Sequence, residues 1–187
     1  IGTCLVGSEM CIRDRMYVTR HVLPPLMRLE DDWTLSPWLA AAPPEIVSDE
    51  PFTTRWTLRD DAVWDDGTPI TSRDVSRTLD YILDPDAGTE AIILHEGLTI
   101  EIIDDLTFDV VFPGPSETHE VVFSTLHPVI KADAYDAHVN AGNEPSTFMQ
   151  DEITFSGGPF RLAGYDPGQR VTLVRNDGWW GEQPTLE

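Results

Sequence analysis

The chain has 187 residues, 41% hydrophobic and 24% charged, enough for one sizeable core of ordinary globular composition. Its formal net charge is −21, and Lys131 is the only lysine. A surface this acidic argues against binding nucleic-acid phosphates or anionic membranes and suits high salt, where screening removes self-repulsion.

Residues 5–15 look like one reading frame of a transposase-type sequencing adapter, so residues 1–15 are set apart from the fold as an artefact. Cys4 and Cys11 both fall there, which leaves the body no disulfide framework and no cysteine metal site. Ile1-Gly2-Thr3 lacks the small residue and apolar run that precede a lipid-attachment cysteine. Val18, Val22, Leu26 and Leu29 have helical spacing, but Pro24-Pro25 interrupts it, so a short helix and an extended exit are expected. Glu30-Asp31-Asp32 is a turn, and the short apolar run Trp33–Leu39 ends before Pro43-Pro44. Phe52, Trp56 and Leu58 sit at even spacing, which predicts a half-buried strand over residues 52–59.

The stretch from Trp64 to Val75 organises the chain. Asp65-Asp66-Gly67 ahead of Pro69 is a tight turn, with Gly accepting a positive φ. Thr71 and Asp74 have the spacing of a capping box. Val75, Leu79, Ile82 and Leu83 then line one helix face, and Asp84-Pro85 stops the helix. Residues 86–96 read as a loop with a short helix, and Leu98–Ile103 and Thr107–Phe112 as a hairpin around Asp104-Asp105. Glu117–Leu126 has a helical face ended by His127-Pro128, and Asp133–Ala141 a third helix closed by Gly142. Phe160–Tyr165 and Arg170–Arg175 are strands around Asp166-Pro167-Gly168-Gln169, whose central Pro-Gly favours a type II turn.

Three aspartate pairs invite catalytic readings: Asp60-Asp61, Asp65-Asp66 and Asp104-Asp105. Paired carboxylates can serve as acid and base or hold a cation. Adjacent residues in a turn usually point apart, so turn chemistry is the simpler account. His21, His95, His119, His127 and His138 show no zinc-hydrolase spacing with a Glu, and neither a nucleophile elbow nor a phosphate-binding loop occurs. No catalytic residue, metal ligand or cofactor is expected. The tryptophans Trp33, Trp38, Trp56, Trp64, Trp179 and Trp180 could stack on sugars, but core packing is the favoured reading. His127 at a helix end would suit the helix dipole as an imidazolium.

Three blocks resemble, in order and spacing, the extracellular solute-binding proteins of ABC importers, family 5, the oligopeptide/dipeptide-binding type. The first runs from Trp56-Thr57-Leu58-Arg59 through Trp64, Asp66, Gly67, Pro69 and Asp74 to Asp84-Pro85. The second is Ile102-Ile103-Asp104-Asp105-Leu106-Thr107-Phe108. The third is Gly157-Gly158-Pro159-Phe160 through Gly168-Gln169-Arg170 to Asn176 and Trp180-Gly181, with Gly157-Gly158 where the family usually has Gly-Thr.

The resemblance implies an α/β, periplasmic-binding-protein-like fold (type II, cluster C) whose two lobes close on a ligand. It implies an N-terminal fragment: residues 16–28 and 132–187 as part of lobe I, residues 29–131 as its inserted small subdomain, and a missing second lobe and signal segment. The ligand would be a peptide or other small solute, bound by a monomer outside the membrane. The partners would be an ABC permease and its ATPase subunits. It further implies cleft-facing positions at Thr89, Glu90, Ala91 and His127, where His127 could meet a ligand carboxylate. Gly157, Gly158 and Pro159 would shape the crossing between subdomain and lobe. An oligosaccharide or metal-chelate ligand is the alternative within the class. The sensor domain of a transcriptional regulator, or a hydrolase using the aspartate pairs, are alternatives outside it.

Overall fold

A computed structural model describes residues 18–89, 92–125, 127–150, 152–166 and 169–185. Its centre is a four-stranded antiparallel sheet in the order β3-β4-β6-β5. The strands are β3 (Glu45–Asp49), β4 (Phe52–Thr57), β5 (Thr99–Ile102) and β6 (Thr107–Val111). Trp56 on β4 lies opposite Phe108 on β6, and both are fully buried. Their neighbours in the same register, Arg55 and Asp109, form a two-pronged ion pair across the strands, with both N–H···O distances 2.8 Å. The β5–β6 hairpin is the expected one. Its turn is held by Asp104, whose Oδ1 accepts the N–H groups of Leu106 (2.9 Å) and Thr107 (2.8 Å).

The helical pattern over residues 75–83 becomes α1 (Ser72–Leu83). Val75, Leu79 and Ile82 share one core with Trp56, Phe108 and Val110. The one-turn α2 (Ile92–His95) and α3 (Ala132–Asn140) both pack on α1. Before the sheet, residues 18–22 form a helical turn that stops at Pro24-Pro25. The chain then makes a small hairpin, β1 (Met27–Leu29) with β2 (Leu35–Pro37). After α3, β7 (Phe160–Asp166) and β8 (Arg170–Arg175) form a separate hairpin.

The two ends of the described chain clasp each other at Gly157-Gly158. Both glycine N–H groups donate to the Val22 carbonyl, at 3.0 and 2.9 Å. Ser156 Oγ donates to the Val22 carbonyl, and the Asn176 side-chain amide donates to the Gly158 carbonyl (each 2.9 Å). A Cβ on Gly158 would lie 2.5 Å from the His21 carbonyl oxygen, and one on Gly157 would lie 2.8 Å from the Pro24 ring. Glycine is needed here for close approach of two backbones.

Two expectations meet a different outcome. Residues 117–125 run as successive turns in place of a helix. Phe123 has φ +54°, a left-handed conformation that breaks helical propagation, and its carbonyl accepts the Leu26 N–H at 2.8 Å. A tertiary hydrogen bond thus overrides the local apolar spacing. Trp33 is 80% exposed at the β1–β2 turn, against the core reading, whereas Trp56, Trp64 and Trp179 are buried. The turn at Pro167-Gly168 lies outside the described residues.

Gly158→Ala is expected to cost about 3 kcal/mol, because backbone must move to admit the methyl group. A Cβ on Gly114 would meet nothing within 4 Å, so Gly114→Ala serves as the control and should stay within about 0.5 kcal/mol. Urea unfolding of the two variants measures the difference.

Candidate functional site

The Trp64–Asp74 segment is built as a scaffold. The Trp64 N–H donates to the Thr68 carbonyl and the Gly67 N–H to the Trp64 carbonyl, both at 2.8 Å, with Gly67 at φ +81°. Asp66 Oδ1 accepts the Thr68 N–H (3.1 Å) and hydroxyl (2.6 Å), closing the turn ahead of Pro69. Asp66 Oδ2 pairs with Lys131, whose side chain is only 12% exposed. These contacts hold the Asp66 carboxyl down from 3.8 to about 2, the lysine contact being the largest cause. Asp65 faces the other way. Its Oδ1 accepts the Ser156 N–H at 2.9 Å, and its own N–H donates to the Ser156 carbonyl at 2.7 Å.

Asp74 is buried and serves two helices. Its Oδ2 accepts the Thr71 N–H at 2.8 Å, the tight half of the capping box of α1. Its Oδ1 accepts the Ala132 N–H at 2.8 Å, at the first residue of α3. Burial raises the Asp74 carboxyl above its usual range, and these two N–H groups oppose that rise. One turn on, the Thr78 hydroxyl donates to the Asp74 carbonyl (2.7 Å) and accepts the Ile130 N–H (3.0 Å). The Ser72 N–H donates to the Asp105 carbonyl at 2.8 Å. The carboxylates of Asp65, Asp66 and Asp104 are therefore engaged by backbone or lysine, and that of Asp61 by Arg59 at 2.8 Å. Among the described residues, no group of three or more His, Cys, Asp or Glu could hold a metal ion.

Of the positions expected near a ligand, Glu90 and Ala91 lie outside the described residues. Thr89 is half-buried, and its hydroxyl donates to the Ile82 carbonyl at 2.8 Å, at the C-terminal end of α1. His127 is also half-buried. Its N–H donates to the Ser124 carbonyl at 2.8 Å, and its ring meets His95 edge-to-face at 5.1 Å. With no helix over residues 117–125, the helix-dipole account of His127 falls. Burial first, and the neighbouring His95 second, push its imidazole down to about 4. At neutral pH His127 is therefore an uncharged ring that can donate one N–H. His95 of α2 makes that ring contact, and α2 leaves Ile92, Ile93 and Leu94 exposed, Ile93 to 82%. Beside α2 opens a cleft of about 360 Å³ lined by Leu94, Leu98, Phe112 and Val121 among others.

The chain matches the family described as "Bacterial extracellular solute-binding proteins, family 5 Middle" over residues 34–187. It belongs to this family. Relatives of this family 5 chain include the oligopeptide-binding protein OppA of Mycobacterium tuberculosis, 27% identical over 151 residues, which are 76% of this chain and 24% of that protein. The chain thus spans about a quarter of the length of the first curated relatives it matches. Among solved structures, the periplasmic EDTA-binding protein EppA superposes with a TM-score of 0.75 at 27% identity, covering 89% of this chain and 32% of that one. Listeria monocytogenes OppA bound to peptide gives a TM-score of 0.73 at 22% identity, covering 88% and 35%. The expected α/β, periplasmic-binding-protein-like architecture is thereby shown, as part of that two-lobed fold. Family 5 is one of extracellular binding proteins. No helix among the described residues is long and apolar enough to cross a membrane.

Sequence reasoning identified Asp66 and Asp74 as turn and cap residues but missed their distant partners, Lys131 and Ala132. One signal for the first was available: a lone lysine in a chain of charge −21 has carboxylates in excess around it. The His95–His127 contact had no signal, because the spacing between the two residues matches no local motif.

The Asp66–Lys131 contact carries a pH signature. Asp66 has a folded pKa below its ordinary 3.8, so its stabilisation is complete above that value and is lost as pH falls toward about 2. Asp74 is shifted the opposite way, so its ionisation favours the unfolded chain. Comparison with Asp66→Asn isolates the first effect. The stability gap between wild type and variant should be full at pH 7 and shrink steadily below pH 4, read by urea unfolding at each pH.

Proposed function

We propose that the chain is part of the substrate-binding component of an ABC importer, which captures peptides outside the membrane and delivers them to a permease powered by ATPase subunits. Kinship carries this reading: the chain belongs to family 5, and its curated relatives include oligopeptide-binding OppA proteins. The chemistry of the organising segment agrees with it. The carboxylates that tempt a catalytic reading hold turns and helix starts, so the mechanism is capture and lobe closure, with no bond made or broken and no cofactor.

In this reading residues 16–28 and 132–187 belong to lobe I, and residues 29–131 form the inserted subdomain. Support comes from the four-stranded sheet and α1, which fall wholly within 29–131, and from α3 and the β7–β8 hairpin, which fall wholly within 132–187. Residues 1–15 are adapter-derived and foreign to the protein. Thr89, Glu90, Ala91 and His127 border the ligand. His127 presents a neutral N–H donor, suited to a peptide carbonyl or carboxylate without a full ion pair. The exposed apolar residues of α2 lie in the same stretch and suit apolar ligand side chains. The protein works as a monomer in the extracytoplasmic space. A metal-chelate ligand is the second reading, favoured by the 27% identity to the EDTA-binding EppA.

Calorimetric titration of the complete gene product tests the choice. Mixed tri- to pentapeptides should give saturable binding, and the bound peptide should be recovered intact. Binding of Fe(III)-EDTA with no response to peptides would favour the chelate reading. Recovery of cleaved peptide would overturn the binding-only mechanism.

A further inference from the structure

His95 and His127 come from different segments and meet ring to ring. His95 closes α2, and His127 opens the stretch that leads through Pro128 into α3. The His95 ring is fully buried, and Phe123 also meets it, at 5.0 Å. Phe123 is itself fully buried at φ +54°, and its carbonyl accepts the Leu26 N–H at 2.8 Å. A charge placed on half-buried His127 loses part of its water and meets the His95 ring 5.1 Å away.

We propose that the His95–His127 pair is an acid-sensitive latch: protonation parts α2 from the stretch that follows Ser124 and opens residues 92–98 while the sheet stays folded. Among the described residues, the other titratable groups on the adjoining segments are Asp84, Asp86, Glu96, Glu117, His119, Glu120 and Lys131. Glu96 and Glu117 are exposed, Lys131 is held by Asp66, and His119 Nδ1 lies 2.9 Å from the Ser116 carbonyl. Asp84 lies 3.4 Å from the Tyr135 hydroxyl. The causes of the His127 shift are burial and His95, and both disfavour the charged ring. Among the described residues no carboxylate counters them at His127.

The sign follows from linkage. His127 is lowered from 6.5 to about 4 when packed, so the opened segment binds a proton more readily and acid favours opening. Between pH 8 and pH 5 the opening constant rises about 30-fold from His127 alone. If residues 89–91 border the ligand, which rests on the function proposed above, acid also loosens the hold on it.

Hydrogen exchange of the ligand-free chain tests the latch without any assumption about ligand. Rates are corrected for the intrinsic pH dependence of exchange. Amides of residues 92–98 should open about 30-fold more readily at pH 5 than at pH 8, and amides of β4 should not. His127→Gln should remove most of this response, and so should the double variant His95→Phe, His127→Gln. His127 is half-buried, so His127→Gln alone carries the test if the double variant fails to fold. Equal corrected rates at the two pH values, equal acceleration in β4, or an unchanged response in His127→Gln would each overturn the proposal. A peptide-binding protein without this latch would bind ligand yet show flat exchange, so the two readings fail separately.

Discussion

The buried carboxylate of Asp74 is the tie on which the rest of the chain depends. One oxygen closes the start of α1 through Thr71, and the other receives the first N–H of α3, 58 residues further on. A single side chain thus fixes two helix starts and their mutual position. Around it, Thr78 receives the Ile130 N–H, and Asp66 holds Lys131. Three consecutive contacts therefore pin residues 130–132 to the turn and helix that the sequence puts at its centre. Burial works against ionised Asp74, and the tie is supported by two backbone N–H groups, that of Ala132 buried and that of Thr71 part-buried.

Electrostatics outside this tie is arranged differently. Arg73 reaches Asp133 and Asp136, and Arg77 reaches Asp136 and Asp80, so α1 and α3 are also laced together at the surface. Pairs this exposed contribute little each and are weakened by salt. The excess of 33 acidic over 12 basic residues acts the other way, because it repels the folded chain from itself until counterions screen it. The two effects oppose one another as salt rises.

What was legible in the sequence is what local physics determines. The face of α1 follows from the spacing of Val75, Leu79 and Ile82, and its ends follow from Thr71 and Asp84-Pro85. The β5–β6 hairpin follows from two apolar runs around a pair of aspartates, and α3 from its position before Gly142. What was not legible depends on distant partners. Residues 117–125 have helical apolar spacing, but the Leu26–Phe123 hydrogen bond and the left-handed Phe123 hold them as turns. Trp33 reads as apolar core and stands exposed beside three acidic residues of a tight turn. At the candidate site, the turn and cap roles of Asp66 and Asp74 were readable, whereas Lys131, Ala132 and His95 as partners were not.

The division between the scaffold and the proposed ligand edge is consistent with the same facts. Carboxylates near the centre have been taken up by the fold, while Thr89, His127 and the exposed face of α2 lie at the periphery of that scaffold. The direct test is the stability of Asp74→Asn and Asp74→Ala against wild type, by urea unfolding at pH 7. An N–H left without its acceptor away from water costs about 1–3 kcal/mol and Asp74 serves two, so Asp74→Ala should lose at least about 2 kcal/mol, and Asp74→Asn, with one acceptor oxygen, an intermediate amount. A loss within about 0.5 kcal/mol for Asp74→Ala would contradict the role given to this carboxylate, since that is the range of an ordinary surface substitution.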